Sequence, residues 1–331
     1  MRALVVASPG AVSLAEIASP PPALAADEAL VRIRACGICA TTDRELIAGT
    51  QPYHRTYPCV LGHESIGEVV ALGSAVTRFQ RGDLVTRPSA IWPGETRDGI
   101  SSAWGGFAEW GIVRDRPASE DYLCLRQRVV PVGISLDQAV LAISLAETHS
   151  VVEGLIAQFG SFHGRRILIA GTGIAGISLA VWCQRAGAAA VHVLGRRVER
   201  LALVTALSAA HGILDDELET VAAQADVYLD AIGDAALCTR ICAALPARAL
   251  SAVYSVLPGH DDLVRPAANE HLSYDAVCSL LRDGTIKAAE WLADPWPLAL
   301  WQQAFAAVAG GLVLKAWIRC DDAAPFREYG A

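Results

Sequence analysis

Arg166-Ile167-Leu168-Ile169-Ala170-Gly171-Thr172-Gly173-Ile174-Ala175-Gly176 decides how this chain folds. An apolar run of strand length meets three glycines spaced GxGxxG, and residues 174–186 have the composition of a helix. Each glycine has a physical task in such a turn. Gly171 permits the tight reversal, Gly173 lets a pyrophosphate approach the backbone, and Gly176 lets helix and strand pack closely. The helix that Ile174 opens presents unpaired N–H groups to the phosphates. A dinucleotide cofactor is therefore expected. The span from Ile167 to Gln184 carries no charge and could be taken for a membrane segment, but the three glycines inside it favour a strand, turn and helix buried in an α/β core.

The same rhythm continues downstream. Strands are expected at Ala190–Leu194, 226–231 and 250–257, with a helix at 199–210. Alternation of this kind implies parallel strands joined by crossovers, a doubly wound sheet. Further helices are expected at 271–281 and 298–308, and a last strand at 312–318. The strand ending at Leu194 should finish beside the adenosine ribose, where an NAD site places Asp or Glu; this chain has Gly195-Arg196-Arg197. With no carboxylate to repel a 2′-phosphate and two guanidinium groups to pair with it, NADP is expected over NAD. The alternative is that Arg196 and Arg197 are solvated residues at the mouth of a helix.

Upstream, short valine-containing runs at 2–7, 30–35, 66–72, 83–87 and 107–113 suggest an irregular β domain, and Arg32 and Arg34 alternate with apolar neighbours as on a half-buried strand. A chain of 331 residues, 53% hydrophobic and 19% charged, fits two globular domains rather than one. Net charge is −8 and no basic run stands out, which argues against nucleic acid or an anionic membrane as a partner. The apolar stretch before Pro9 is too short for a secretory signal, so a cytoplasmic location is expected. Nine cysteines, scattered and odd in number, argue for reduced thiols.

Two separated segments carry metal-binding residue types: Cys36-Gly37-Ile38-Cys39 with Asp43, then Gly62-His63-Glu64-Ser65-Ile66-Gly67. Zn²⁺ accepts thiolate, imidazole and carboxylate, and three protein ligands leave a fourth position open for substrate. With Gly73, Val76, Gly82-Asp83, Gly105-Gly106-Phe107-Ala108-Glu109 and Ala304-Phe305 following in order, the chain resembles the zinc-dependent medium-chain dehydrogenase/reductase superfamily of alcohol, polyol and glucose dehydrogenases.

That resemblance implies an α/β protein with a Rossmann cofactor domain at 156–265, an irregular, mostly β, GroES-like catalytic domain at 1–155, and a return to the latter at 266–331. It implies Cys39 and His63 as ligands of one catalytic zinc and Glu147 as the third, with His149 the alternative; Glu64 becomes an outer or alternately coordinating carboxylate. A redox CxxC of Cys36 and Cys39 is the competing reading of the first segment. A proton-relaying hydroxyl falls on Thr41 or Thr42, because one residue more than usual separates Cys39 from Asp43, and the place of Asp43 stays open. Lys315 is implied to contact the cofactor phosphates. No cysteine lies between Arg87 and Trp104, where relatives carry a structural zinc, so none is expected here.

The activity implied is hydride transfer between a secondary alcohol, polyol or sugar-like substrate and NADP(H), by a homodimer or homotetramer. A metal-free quinone or enoyl reductase and a non-catalytic NADP-binding protein are the alternatives. Loops 53–57, 91–104 and 255–258 are expected to wall the substrate pocket.

Overall fold

Valine, leucine and isoleucine in short runs, broken by glycine and aspartate, form the first eight strands, since such side chains suit a pleated, half-buried surface. They are β1 (Arg2–Ser8), β2 (Ala11–Glu16), β3 (Glu28–Gly37), β4 (Cys59–Val60), β5 (Glu64–Leu72), β6 (Leu84–Thr86), β7 (Ser101–Ser102) and β8 (Trp110–Arg114), with the short helix α1 (Thr42–Ala48) after β3. The computed structural model describes residues 1–21, 23–255, 262–267 and 269–321. The chain divides into two compact units, Met1–Ile143 with Cys278–Ala331, and Ser144–Val277. These divisions, at 143/144 and 277/278, fall inside two helices, α2 (Leu136–Phe159) and a later one, whereas the sequence suggested breaks at 155/156, also within α2, and at 265/266, before the later helix.

The second unit is the expected doubly wound sheet. Its strands are β9 (Arg166–Ala170), β10 (Ala190–Leu194), β11 (His211–Ile213), β12 (Val227–Asp230) and β13 (Leu250–Val253), in the order β11-β10-β9-β12-β13, with every neighbouring pair parallel. Helices α3 (Ile174–Arg185), α4 (Val198–Ser208), α5 (Leu218–Ala222) and α6 (Ala235–Ala244) make the crossovers, and α7 (Glu270–Arg282) follows. The chain winds outward from β9 to β11 and then restarts at β12 on the other side of β9. The glycine turn after β9 therefore lies at the switch point, where such sheets bind ligands. Leu168, Ala170, Leu194, Tyr228 and Val253 form part of the core under this sheet. Of the expected strand 250–257, residues 256–257 lie outside the described residues.

The uncharged stretch that begins in β9 is thus a strand, turn and helix. One helix, α2, is apolar and long enough to cross a membrane, yet 72% of its apolar window is buried inside the protein.

After α7 come α8 (Ala288–Trp291), β14 (Trp296–Pro297), α9 (Trp301–Ala309) and β15 (Trp317–Arg319). The last strand is much shorter than 312–318. Leu312 donates its N–H to Ala307 in the turn that ends α9, and its side chain is 82% exposed, so pairing begins only with an isolated bridge at Lys315 and the strand itself at Trp317. β14 and β15 join a sheet of order β14-β15-β3-β5-β6, with β8 also on β3; a second sheet runs β2-β1-β4-β7. Leu4, Val6, Ile33, Leu46, Val60, Leu61 and Phe107 share one core in this unit. Each such side chain stabilises by about 1.5–3 kcal/mol on burial.

Strand register places the chemistry. Gly37 pairs with Glu64 in the β3–β5 ladder and with Trp317 in the β15–β3 ladder. The C-terminal end of β3 and the N-terminal ends of β5 and β15 therefore meet at one edge of the first unit.

Candidate metal centre

At that meeting point Cys39 lies two residues beyond β3, His63 immediately before β5, and Glu64 on its first position. Their ligand atoms all lie within 4.8 Å of one another, and among the described residues no other three of His, Cys, Asp and Glu are so gathered. Ligand atoms on one tetrahedral zinc stand ~3.5 Å apart, so the cluster would close by about 1 Å at its widest to hold an ion. His63 and Glu64 are buried, while Cys39 is partly open, which suits a centre that must admit substrate.

Asp43 resolves the question left by its spacing. Its Oδ2 accepts from the Cys39 N–H at 2.9 Å, and the Asp43 N–H returns to the Cys39 carbonyl at 3.2 Å, so the extra residue is absorbed in a turn opening α1. Oδ1 lies 3.6 Å from Nδ1 of His63, and neither atom has a hydrogen-bond partner. A carboxylate behind an imidazole fixes the ring and leaves its far nitrogen for a metal. Arg87 donates to the His63 carbonyl, and the Trp104 ring stands 5.3 Å from the imidazole centre. Thr41 is exposed at the N-cap of α1, and Thr42, its first residue, is half-buried.

The electrostatics show a cluster short of positive charge. Burial disfavours charge on His63, but Asp43 and Cys39 outweigh it and push the imidazole up to about 10. Burial pushes the Cys36 thiol well up, with Cys320, Asp43 and Glu64 adding to it, which disfavours the thiolate that a redox CxxC requires. A divalent cation would supply the missing charge, and the donor set fits Zn²⁺.

Lys315 meets a partner that its place in the sequence did not suggest: it is 2% exposed and its ammonium pairs with Glu64 inside this cluster. Burial alone would lower its pKa, but Glu64, Cys39 and Asp43 reverse that and raise it. The sequence carried no signal for the pairing, because 251 positions separate the two residues.

In the second unit the glycine turn has the form the sequence implied. Gly171 has φ +121°, Gly173 caps α3, and Ile174 is its first residue. A Cβ on Gly176 would collide with the Gly171 carbonyl, whereas one on Gly173 would meet nothing within 4 Å, leaving that face open to a ligand. Gly176→Ala should consequently lower dinucleotide affinity at least ~10-fold while the chain still folds. Fluorescence titration with the nicotinamide cofactor checks this, and unchanged affinity would detach the turn from phosphate binding.

Gly195 is buried where a Cβ would strike Thr172 and Leu201, so its role includes packing. Arg196 and Arg197 are both exposed after β10. Arg200, not singled out from the sequence, is buried in the next turn, where burial and then Arg197 lower its pKa.

Glu147 and His149 stand on α2 in this unit, both half-buried. His149 Nδ1 is 2.8 Å from Ser273 Oγ and its ring packs edge-on against Trp182 at 4.8 Å. In the first unit, two of the three loops expected to wall a pocket line one cavity of about 340 Å³: Tyr53, His54 and Thr56 from one, and Glu95, Ser101 and Trp104 among others from the second. Of the third loop, residues 256–258 lie outside the described residues.

Residues 25–120 match the family model described as the alcohol dehydrogenase GroES-like domain. An L-threonine 3-dehydrogenase of Rhizobium rhizogenes is 31% identical over 67% of this chain, and the match spans 64% of that relative's length. A "probable zinc-binding alcohol dehydrogenase" of Mycobacterium tuberculosis is 30% identical over 76% of this chain and 68% of its own. Among solved structures, the alcohol dehydrogenase of Thermus sp. ATN1 shares the fold, with a TM-score of 0.75 at 23% identity over 96% of this chain and 99% of that one.

Proposed function

This chain belongs to the zinc-type medium-chain dehydrogenase superfamily, and from that membership we propose that it transfers hydride between a secondary alcohol of polyol or sugar type, or the corresponding carbonyl, and NADP(H). The observation that carries the reading is the convergence of Cys39, His63 and Glu64, with Asp43 behind the imidazole.

Zn²⁺ would supply Lewis acidity to a substrate oxygen, and the dinucleotide would supply the capacity for hydride transfer. Cys39 and His63 would hold the ion, with Glu147 as the third ligand. Support for Glu147 is its chemistry, a carboxylate that Zn²⁺ accepts beside a thiolate and an imidazole. His149, the alternative, already has Ser273 as a partner. Asp43 keeps the His63 ring oriented, and Thr41 or Thr42 passes the alcohol proton toward solvent, since a hydroxyl donates and accepts at once. Trp104 excludes water on one side of His63.

The cavity supports the substrate class. Its wall offers Tyr53, Thr56, Thr96 and Ser101 hydroxyls, and burial holds His54 below its ordinary range and neutral. Its one carboxylate, Glu95, is paired with Arg114 at 2.8 Å. Neutral hydrogen-bonding groups suit a hydroxylated, uncharged substrate better than a zwitterionic amino acid. A homodimer or homotetramer in the cytoplasm belongs to the same proposal.

The test is NADP reduction by the zinc-loaded protein with a panel of polyols and sugars beside L-threonine; activity confined to L-threonine, or none with any alcohol, would overturn the reading. For the cofactor, Arg196→Ala with Arg197→Ala should weaken NADP binding roughly 10- to 100-fold, the worth of one or two charge-assisted hydrogen bonds, and leave NAD within a few-fold. An unchanged preference would remove the argument from the end of β10.

A further inference from the structure

Two histidines in the second unit form a pair that the dehydrogenase chemistry does not use. His192 on β10 and His211 on β11 are direct partners in the parallel ladder, so both side chains leave the same face of the sheet. Their ring centres are 5.5 Å apart with the planes tilted by 32°. An ion bonded at ~2.1 Å to one nitrogen of each ring holds the two centres ~5 Å apart, so the pair is close to chelating distance as it stands.

His211 is exposed and His192 half-buried, which leaves an approach from solvent, while Val191 and Val193 anchor β10 on the opposite face. Burial, then the neighbouring His211, lowers the pKa of His192 and keeps the lone pair needed by a metal. Asp215, Asp216 and Glu217 follow β11 directly. Glu217, whose carboxylate accepts from the Leu214 N–H at 3.2 Å, exerts its charge on His192. The opposing charge is Arg166, whose Nη1 is held by Gln224 at 2.7 Å.

We propose that His192 and His211 form a second metal site, for a divalent transition ion of the zinc, nickel or copper class, with water completing the shell. Imidazole pairs favour these metals over Mg²⁺ or Ca²⁺. The site staples β11, an edge strand of three residues, to β10, and binding there adds to the stability of the folded unit.

The test uses the zinc-loaded protein titrated with Ni²⁺ by calorimetry, with zinc content measured before and after. One Ni²⁺ per chain should bind without displacing zinc and should raise the melting temperature. His192→Asn and His211→Asn should each weaken that binding at least ~10-fold, whereas exposed His163→Asn should not. Absence of a one-to-one event, displacement of zinc in proportion, or equal binding by all variants would overturn the site. Electron paramagnetic resonance of one added Cu²⁺ on the unaltered protein is independent of how the variants fold. Coupling to two imidazole nitrogens supports the pair, and an aquo-copper spectrum refutes it.

Discussion

Exchange of Cys39 for serine, or of His63 for alanine, is expected to yield a folded protein that has lost most of its zinc and at least ~1,000-fold in kcat/KM, about 4 kcal/mol of transition-state stabilisation. Both side chains are drawn into the cluster by strand ends, so their removal leaves β3 and β5 paired and the core intact. A serine hydroxyl replaces a thiolate that binds zinc far more strongly, and an alanine leaves Asp43 with no ring to orient. Asp43→Asn should be milder, roughly 10- to 100-fold, because it loosens the ligand without deleting it. Elemental analysis and the change in nicotinamide absorbance report the two losses separately. Full zinc and full activity in either ligand variant would leave the cluster without a role.

The second large effect is on stability. Lys315→Met removes the cation from a buried pair and leaves Glu64, 3% exposed, beside Asp43 and Cys39 without that cation. Breaking such a pair from one side costs about 3–5 kcal/mol. The loss should appear in the denaturant midpoint of the unliganded protein. Adding Glu64→Gln to Lys315→Met removes both charges and should restore much of it, since the cost lies in the negative charge left buried rather than in the missing contact. A double variant no more stable than the single one would mean that Lys315 contributes by packing alone. Bound zinc should narrow the difference, because a cation near Glu64 replaces part of what Lys315 supplied.

Local patterns made some residues legible and left others hidden. The glycine turn could be read because each of its constraints acts within six residues: the positive φ at Gly171, the open face at Gly173 and the close approach of Gly176 to Gly171. Arg32 and Arg34 betrayed a half-buried strand for the same reason, since alternation is a property of neighbours. Asp43 could not be placed behind the metal by counting, because the turn from Cys39 into α1 absorbs the additional residue. The pairing of Lys315 with Glu64 stayed hidden because a lone lysine near the end of a chain says nothing about the partner it meets. The last strand was drawn too long because 312–318 has strand composition, while the turn closing α9 keeps its first residues out of the sheet.

What sequence alone determined was chemistry confined to short segments: a dinucleotide turn, a strand tip without an acid, and donors of zinc type at Cys39 and His63. What only the tertiary structure decided was which of those donors meet and what neutralises them. The ends of β3, β5 and β15 are joined by hydrogen-bond register, and that register brings Glu64 and Lys315 together across 251 positions. Charge compensation in a buried site depends on distance in space, and a linear pattern does not carry that distance.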